Sequence, residues 1–276
     1  MKSNCELVNT YEILEHVMGI SGLHPHRLDS IKDIRIKLVQ HINSNAALAE
    51  GIVLDLGCGS GAGTFELATM LKSNQRVIGL DINAHAIESA KSIYANQKNL
   101  SFFHGDIKKF LIDNPDLKIS GAICISVSMF LDDIKEFYHH LYCALNDGGI
   151  FIDAPFMFRN INTDLPEKFR RNTYAVCGCN MQMLNLDQIR TLLNSAGFSN
   201  VQCLEHDFDL MKLSVLFSDY SPRFLLSNFF RNVFSPPKYF GNISSRYIFT
   251  RTLKVFIFFL MNRHKYASGE FVAYKP

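Results

Sequence analysis

The segment Gly51-Ile52-Val53-Leu54-Asp55-Leu56-Gly57-Cys58-Gly59-Ser60-Gly61 constrains the fold of this chain more than any other. A short apolar run that ends in glycines reads as a buried strand. Helical spacing from Ala62 to Lys72 follows it, which makes the glycines a turn between a strand and a helix. Glycine lets the backbone turn sharply there and lets a ligand approach with no Cβ in the way. The helix beyond presents free N–H groups and the positive end of its dipole. A nucleoside cofactor carrying a carboxylate fits across such an edge.

The same alternation continues down the chain. Arg76 to Asp81 reads as a second strand, ending in a carboxylate, and Ala84 to Gln97 as a helix with Asn83 as its N-cap. Leu100 to His104 is a third strand, Gly121 to Ser126 a fourth, and Ile150 to Asp153 a fifth. A helix over Asp132 to Leu145 stops at Asn146-Asp147-Gly148-Gly149, and a helix over Leu186 to Ala196 closes at Gly197. Val201 to Glu205 is a sixth strand, and the last, Glu270 to Tyr274, comes after a gap of about 60 residues. Strand and helix in turn predict an α/β fold, a doubly wound sheet with helices on both faces.

Ahead of the first strand, Glu6 to Asn43 has helical spacing broken by Gly19, Gly22 and Pro25. The expected organisation is a helical cap over 1–50, a cofactor-binding core over 51–206, a helical lid insertion over 207–269, and the last core strand over 270–276.

Asp81 stands 20 residues after Gly61, where a carboxylate can accept from both ribose hydroxyls. This does not separate cofactors, because Gly57-x-Gly59-x-x-Ala62 also matches the dinucleotide fingerprint. A nicotinamide-dependent enzyme therefore stays open on these residues alone. Asp106, just past the third strand, is placed to accept from an adenine amino group, and Ile107 to cover a ring face.

Four ordered motifs together resemble the class I S-adenosylmethionine-dependent methyltransferase family. They are Val53 to Gly61, Gly79-Leu80-Asp81-Ile82, Gly105-Asp106-Ile107 and Leu145-Asn146-Asp147-Gly148-Gly149-Ile150-Phe151. Ala196-Gly197-Phe198 and Phe271 to Pro276 add to the likeness, which covers roughly residues 28 to 206 and the last strand. The resemblance implies a seven-stranded Rossmann-like sheet whose last strand is antiparallel. It implies S-adenosylmethionine as cofactor, with Asp55 and the Gly57, Gly59 and Gly61 turn at its methionine portion. Asp81 and Ile82 would hold the ribose, Asp106 and Ile107 the adenine, and Ser126 would face the methionyl end. Tyr11 would close over the cofactor as an aromatic from the N-terminal helix. One departure is Ser120-Gly121, where the family usually begins its fourth strand with an acid.

The acceptor reads as a small molecule, lipophilic or aromatic. Methyl transfer needs alignment and exclusion of water more than acid–base help. No catalytic residue is assigned: Tyr174, His139, His140 and His206 are candidate bases without distinction, and His24 and His26 read as solvated turn residues. Cys177-Gly178-Cys179 resembles the paired thiols of arsenite methyltransferases, but Thr64 stands where their further cysteine would fall. These thiols read as half-buried cysteines, and no metal site is expected.

Composition enters through its asymmetry. The net charge is +2 overall, but Asp207 to Pro276 holds 10 Lys and Arg against 4 Asp and Glu, with 17 of the 33 Phe and Tyr residues. The bulk charge gives no reason to expect nucleic acid as a partner. The basic, aromatic insertion reads as a lid over an apolar acceptor pocket, or as a peripheral contact with anionic membrane. The latter leaves a non-catalytic or membrane-associated methyltransferase-like protein as a further alternative. Seven cysteines, an odd number scattered through apolar runs, and an N-terminus without an apolar signal region predict a cytoplasmic protein.

Overall fold

Period-two burial along the central strands builds two packed layers on one sheet. The first strand, β1 (Ile52–Leu56), sends Val53 into one layer and Leu54 and Leu56 into the other, all fully buried. In β4 (Ile119–Ile125) Ile123 opposes Ala122 and Cys124, and in β5 (Leu145–Ala154) Ile150 and Ile152 oppose Phe151. These contacts come from a computed structural model. It describes residues 29–72, 74–159, 167, 181–207 and 261–276, together with 223, 227, 230, 231, 234, 236, 237, 239, 240, 243, 244, 246, 247, 249, 250, 254 and 257.

One layer is made by α1 (Asp29–Ser44) and α2 (Ala62–Met70). Ile34, Leu38 and Ile42 recur every four residues on α1 and are buried on the sheet. Each such burial stabilises the fold by about 1.5–3 kcal/mol. Gly121 permits it: a Cβ there would meet Ile42 Cδ1 at 2.9 Å and Leu38 Cδ1 at 3.1 Å. The other layer is α4 (Ile107–Asp113), α5 (Ile134–Ala144) and α6 (Leu186–Ala196), which bury Phe110, Phe137, Leu141, Ile189 and Leu193. The remaining helix, α3 (Ala84–Ile93), closes Ile87 and Ala90 over Phe102 of β3 (Leu100–His104).

With β2 (Arg76–Asp81), the first five strands lie parallel in the order β3-β2-β1-β4-β5. Three further strands complete the sheet: β6 (Phe156–Phe158), β7 (Ser199–Asp207) and β8 (Tyr266–Tyr274). The last of these, β8, runs antiparallel between β5 and β6 on one side and β7 on the other. Segment β6 continues the line of β5 after Pro155, whose carbonyl accepts from Gly269 N–H at 2.9 Å. The seven-stranded methyltransferase architecture with its antiparallel last strand is therefore present, with its fifth strand interrupted at a proline.

Two boundaries and one helix stand out against the sequence reading. The fifth strand begins at Leu145, because Ile119 pairs with Leu145 and Gly121 with Ile150. The Asn146–Gly149 turn bulges out of it, with Gly148 at φ +75°. The last strand begins at Tyr266, because Tyr266 to Ser268 pair with β6 before Phe271 reaches β5. Helix α4 was not expected at all. It is a single short run, capped when Asp106 Oδ1 accepts from Lys109 N–H at 2.8 Å.

Among the described residues, no helix is long and apolar enough to cross a membrane. The helix expected around Tyr11, the turn expected at His24–His26, Tyr174 and Cys177-Gly178-Cys179 lie outside the described residues.

Candidate functional site

The carboxyl ends of β1, β2, β4 and β5 form one edge, and the predicted residues gather there. Gly57, Gly59 and Gly61 all have positive φ, at +83°, +54° and +82°. The three differ in what surrounds them. A Cβ on Gly57 would meet Val127 Cγ2 at 2.2 Å, and one on Gly61 would meet the Phe102 ring at 2.6 Å. A Cβ on Gly59 would meet nothing within 4 Å. Gly57 and Gly61 are thus fixed by packing, whereas Gly59 opens onto space in which a ligand fits against bare backbone. Gly61 is the N-cap of α2 and offers no side-chain cap, so the helix N-terminus is dressed by backbone alone.

Asp81 closes this turn from the next strand. Its Oδ2 accepts from Gly59 N–H at 2.8 Å and its Oδ1 from Asn83 N–H at 2.9 Å. Burial lifts the Asp81 carboxyl above its ordinary range, against the pull of those N–H groups. An ionised carboxylate has about four lone-pair sites, so two bonds leave it able to accept more. Ile82 beside it is partly exposed, and His104 Nε2–H donates to its carbonyl at 3.1 Å.

Asp55 is 7% exposed, and its Oδ2 accepts from Thr64 Oγ1–H at 2.8 Å. Burial raises its carboxyl, opposed by the Arg35 guanidinium and the Thr64 hydroxyl. It ties β1 to α2 beneath the turn. Asp106 caps α4, and Ile107 is buried in the layer it shares with Leu80 and Phe110. Ser126, at the end of β4, holds φ +57°, a left-handed conformation that is uncommon for serine. Its N–H donates to Ala154 O at 2.9 Å, which fixes it beside the end of β5. Backbone strain of this kind collects at ligand sites.

Two features of this edge were not expected. Asp153, fully buried on β5, accepts from Tyr138 O–H at 2.5 Å and from Ser128 Oγ–H at 2.9 Å. Burial pushes its carboxyl up to about 7, and the two hydroxyls pull against that shift. The cluster locks the turn after β4, and so the position of Ser126, to β5. The clue lay in the sequence: Asp153 ends an apolar strand, as Asp81 does. Beyond it, Met129, Phe156, Phe158, Met181 and Tyr266 form a separate buried apolar cluster past the ends of β4 and β5. No periodic pattern links these residues, because four different segments contribute them.

The candidate bases are spread apart. His206 Nε2 lies 3.2 Å from Glu270 Oε2, and Glu270 also takes Lys37 from α1. Glu270 is 2% exposed, whereas Lys37 and His206 are 43% and 37% exposed, so only the carboxylate of this cluster is buried. His139 is exposed on α5 near Cys143, and His140 Nε2 lies 3.7 Å from Glu136 Oε1. Neither reaches the glycine turn.

An S-adenosyl cofactor fits these residues. The observation is the bare backbone at Gly59, flanked by the Asp81 carboxylate and the N-terminus of α2. A methionyl chain requires that close approach, and a ribose requires the acceptor.

Comparison with known proteins gives the family and the fold. Residues 49–197, more than half of the chain, match the family described as a methyltransferase domain. Among curated relatives, the O-methyltransferase rstn1 of Aspergillus nomiae is 25% identical over 64% of this chain and 78% of its own. The arsenite methyltransferase of Halobacterium salinarum is 25% identical over 59% of this chain and 41% of its own. The chain spans about a third of the length of the first curated relatives it matches. Among solved structures, the phosphoethanolamine N-methyltransferase 2 of Haemonchus contortus superposes with a TM-score of 0.66 at 14% identity. That match covers 98% of this chain and 57% of the other. The geranyl diphosphate C-methyltransferase of Streptomyces coelicolor A3(2) gives 0.62 at 13% identity, over 91% and 80%. At these identities the solved structures show a shared fold.

Proposed function

The chain belongs to the class I S-adenosylmethionine-dependent methyltransferase family, and on that premise we propose that it methylates a small, lipophilic or aromatic acceptor held past the ends of β4 and β5. The observation that carries this reading is the apolar cluster of Met129, Phe156, Phe158, Met181 and Tyr266 beside the strained Ser126. Ligands in doubly wound sheets bind outside the carboxyl ends of the strands. These side chains are 0–6% exposed, so they form a packed apolar backing at the strand ends, which suits an apolar molecule more than a charged one.

The residue roles are part of the same reading. The Gly57–Gly61 turn and Asp55 receive the methionine portion, with Gly59 as the point of closest approach. Asp81 accepts from the ribose hydroxyls and Ile82 lies beside them. Asp106 accepts from the adenine amino group, and Ile107 backs the ring from the core. Ser126 faces the methionyl end. Tyr11, outside the described residues, closes over the cofactor. The cofactor supplies an activated sulfonium methyl. The protein's part is to align the acceptor and keep water out.

The insertion leaves the sheet after β7 and returns into β8, so both of its ends lie at the edge that carries the glycine turn. A lid rooted there covers the acceptor. The test is transfer of labelled methyl from S-adenosylmethionine across a panel of acceptors graded in polarity. Turnover confined to apolar members supports the reading, and turnover confined to highly charged ones overturns it.

A further inference from the structure

The segment between β7 and β8 is set apart by its charge. From Tyr220 to Lys265 it holds eight Lys and Arg residues and no Asp or Glu. All of its described α-helical residues except Phe249, which is 4% exposed, are exposed and fall in two runs. Arg223, Ser227, Phe230, Arg231 and Phe234 form the first, and Arg246, Tyr247, Thr250, Lys254, Ile257 and Met261 the second.

Each run mixes cations with large apolar side chains. Phe234 and Met261 are both 74% exposed, and Phe230, Tyr247 and Ile257 are about half exposed. These are five of the eleven exposed large apolar side chains among the described residues, from a segment that supplies few of those residues. The Phe230 and Phe234 rings stack with centroids 5.9 Å apart, which makes a small apolar platform beside Arg231. Single exposed apolar residues are ordinary; clustered ones mark an interaction surface.

We propose that this surface docks on an anionic phospholipid membrane. Basic residues draw the segment to the negative surface, and the apolar side chains enter the boundary between headgroups and acyl chains. Isoleucine and methionine favour lipid over single-stranded nucleic acid, which takes flat aromatic platforms. The contact is interfacial, since no described helix is long and apolar enough to span a bilayer. The proposal deepens the acceptor reading, because docking at this edge admits a lipophilic acceptor directly from the bilayer. The vesicle test does not depend on that reading.

The experiment is vesicle flotation of the full chain. It uses phosphatidylcholine alone, phosphatidylcholine with phosphatidylserine, and single-stranded RNA as competitor. The chain is expected to float with phosphatidylserine vesicles and to be released as salt rises, with no float on neutral vesicles. Phe230→Ser with Phe234→Ser, and Ile257→Ser with Met261→Ser, should each lower the bound fraction about tenfold. Both pairs should leave S-adenosylhomocysteine affinity and the thermal midpoint unchanged. Absence of anionic flotation, equal flotation on neutral vesicles, full binding by both pairs, or preference for RNA overturns the proposal. The salt series reads the wild-type chain, so a variant that fails to fold does not remove the test. If flotation holds while methyl transfer is confined to polar acceptors, the surface stands and the acceptor reading falls.

Discussion

The backbone N–H of Gly59 donates to the Asp81 carboxylate at 2.8 Å, so the glycine turn after β1 is latched to the end of β2 before any ligand arrives. The latch sets the turn's shape and, by lone-pair count, leaves the carboxylate able to accept a further bond. Asp81→Ala removes both. It should weaken S-adenosylhomocysteine binding by about 1–3 kcal/mol, the cost of leaving buried hydroxyls unpaired. Calorimetric titration reads this directly, and unchanged affinity would remove Asp81 from the ribose role.

The three turn glycines should separate on substitution. Gly59→Ala adds a methyl into open space, at the cost of a strained φ of about 1 kcal/mol. It should fold and lose cofactor affinity. Gly61→Ala drives its methyl into Phe102, so it should lose stability first. Thermal unfolding alongside cofactor titration distinguishes the two. Equal losses of stability would mean that Gly59 is only a packing position.

Ser126→Gly relieves the positive φ at the end of β4. The thermal midpoint should hold or rise, while cofactor affinity falls because the hydroxyl is gone. A lower midpoint with intact affinity would make Ser126 a structural residue.

Asp153 should impose a pH dependence on stability. Its carboxyl is raised from 3.8 to about 7 in the folded chain. Between those values the folded state holds a proton that the unfolded state has released. Stability therefore falls as pH rises through that window, by at most about 1.4 kcal/mol per pH unit, and levels off above it. Asp55 and Asp81 are raised as well and slope the same way. The share due to Asp153 is the flattening seen in Asp153→Asn. Denaturant melts at several pH values measure it, and a variant with the wild-type slope would contradict the assignment.

The sheet was legible in the sequence because burial on both faces leaves apolar runs of strand length, as at Ile52–Leu56 and Ile150–Ile152. Its turns were legible where glycine or a capping residue punctuates them, as at Gly61, Asn83 and Gly197. What escaped was decided by pairing between distant segments. Tyr266 to Ser268 join the last strand only because β6 lies opposite, and Pro155 hides the continuation of β5. The site divides the same way. Asp81 and the glycine turn are close in sequence and share a motif. The Asp153–Tyr138–Ser128 cluster and the Met129–Phe156–Tyr266 wall draw on separate elements with no shared spacing.

The most direct test of the account is titration of the wild-type chain with S-adenosylhomocysteine and, separately, with NAD. The glycine turn and Asp81 alone would suit either ligand. The account predicts saturable one-to-one binding of S-adenosylhomocysteine and no heat with NAD. Binding of NAD with none of S-adenosylhomocysteine would contradict it.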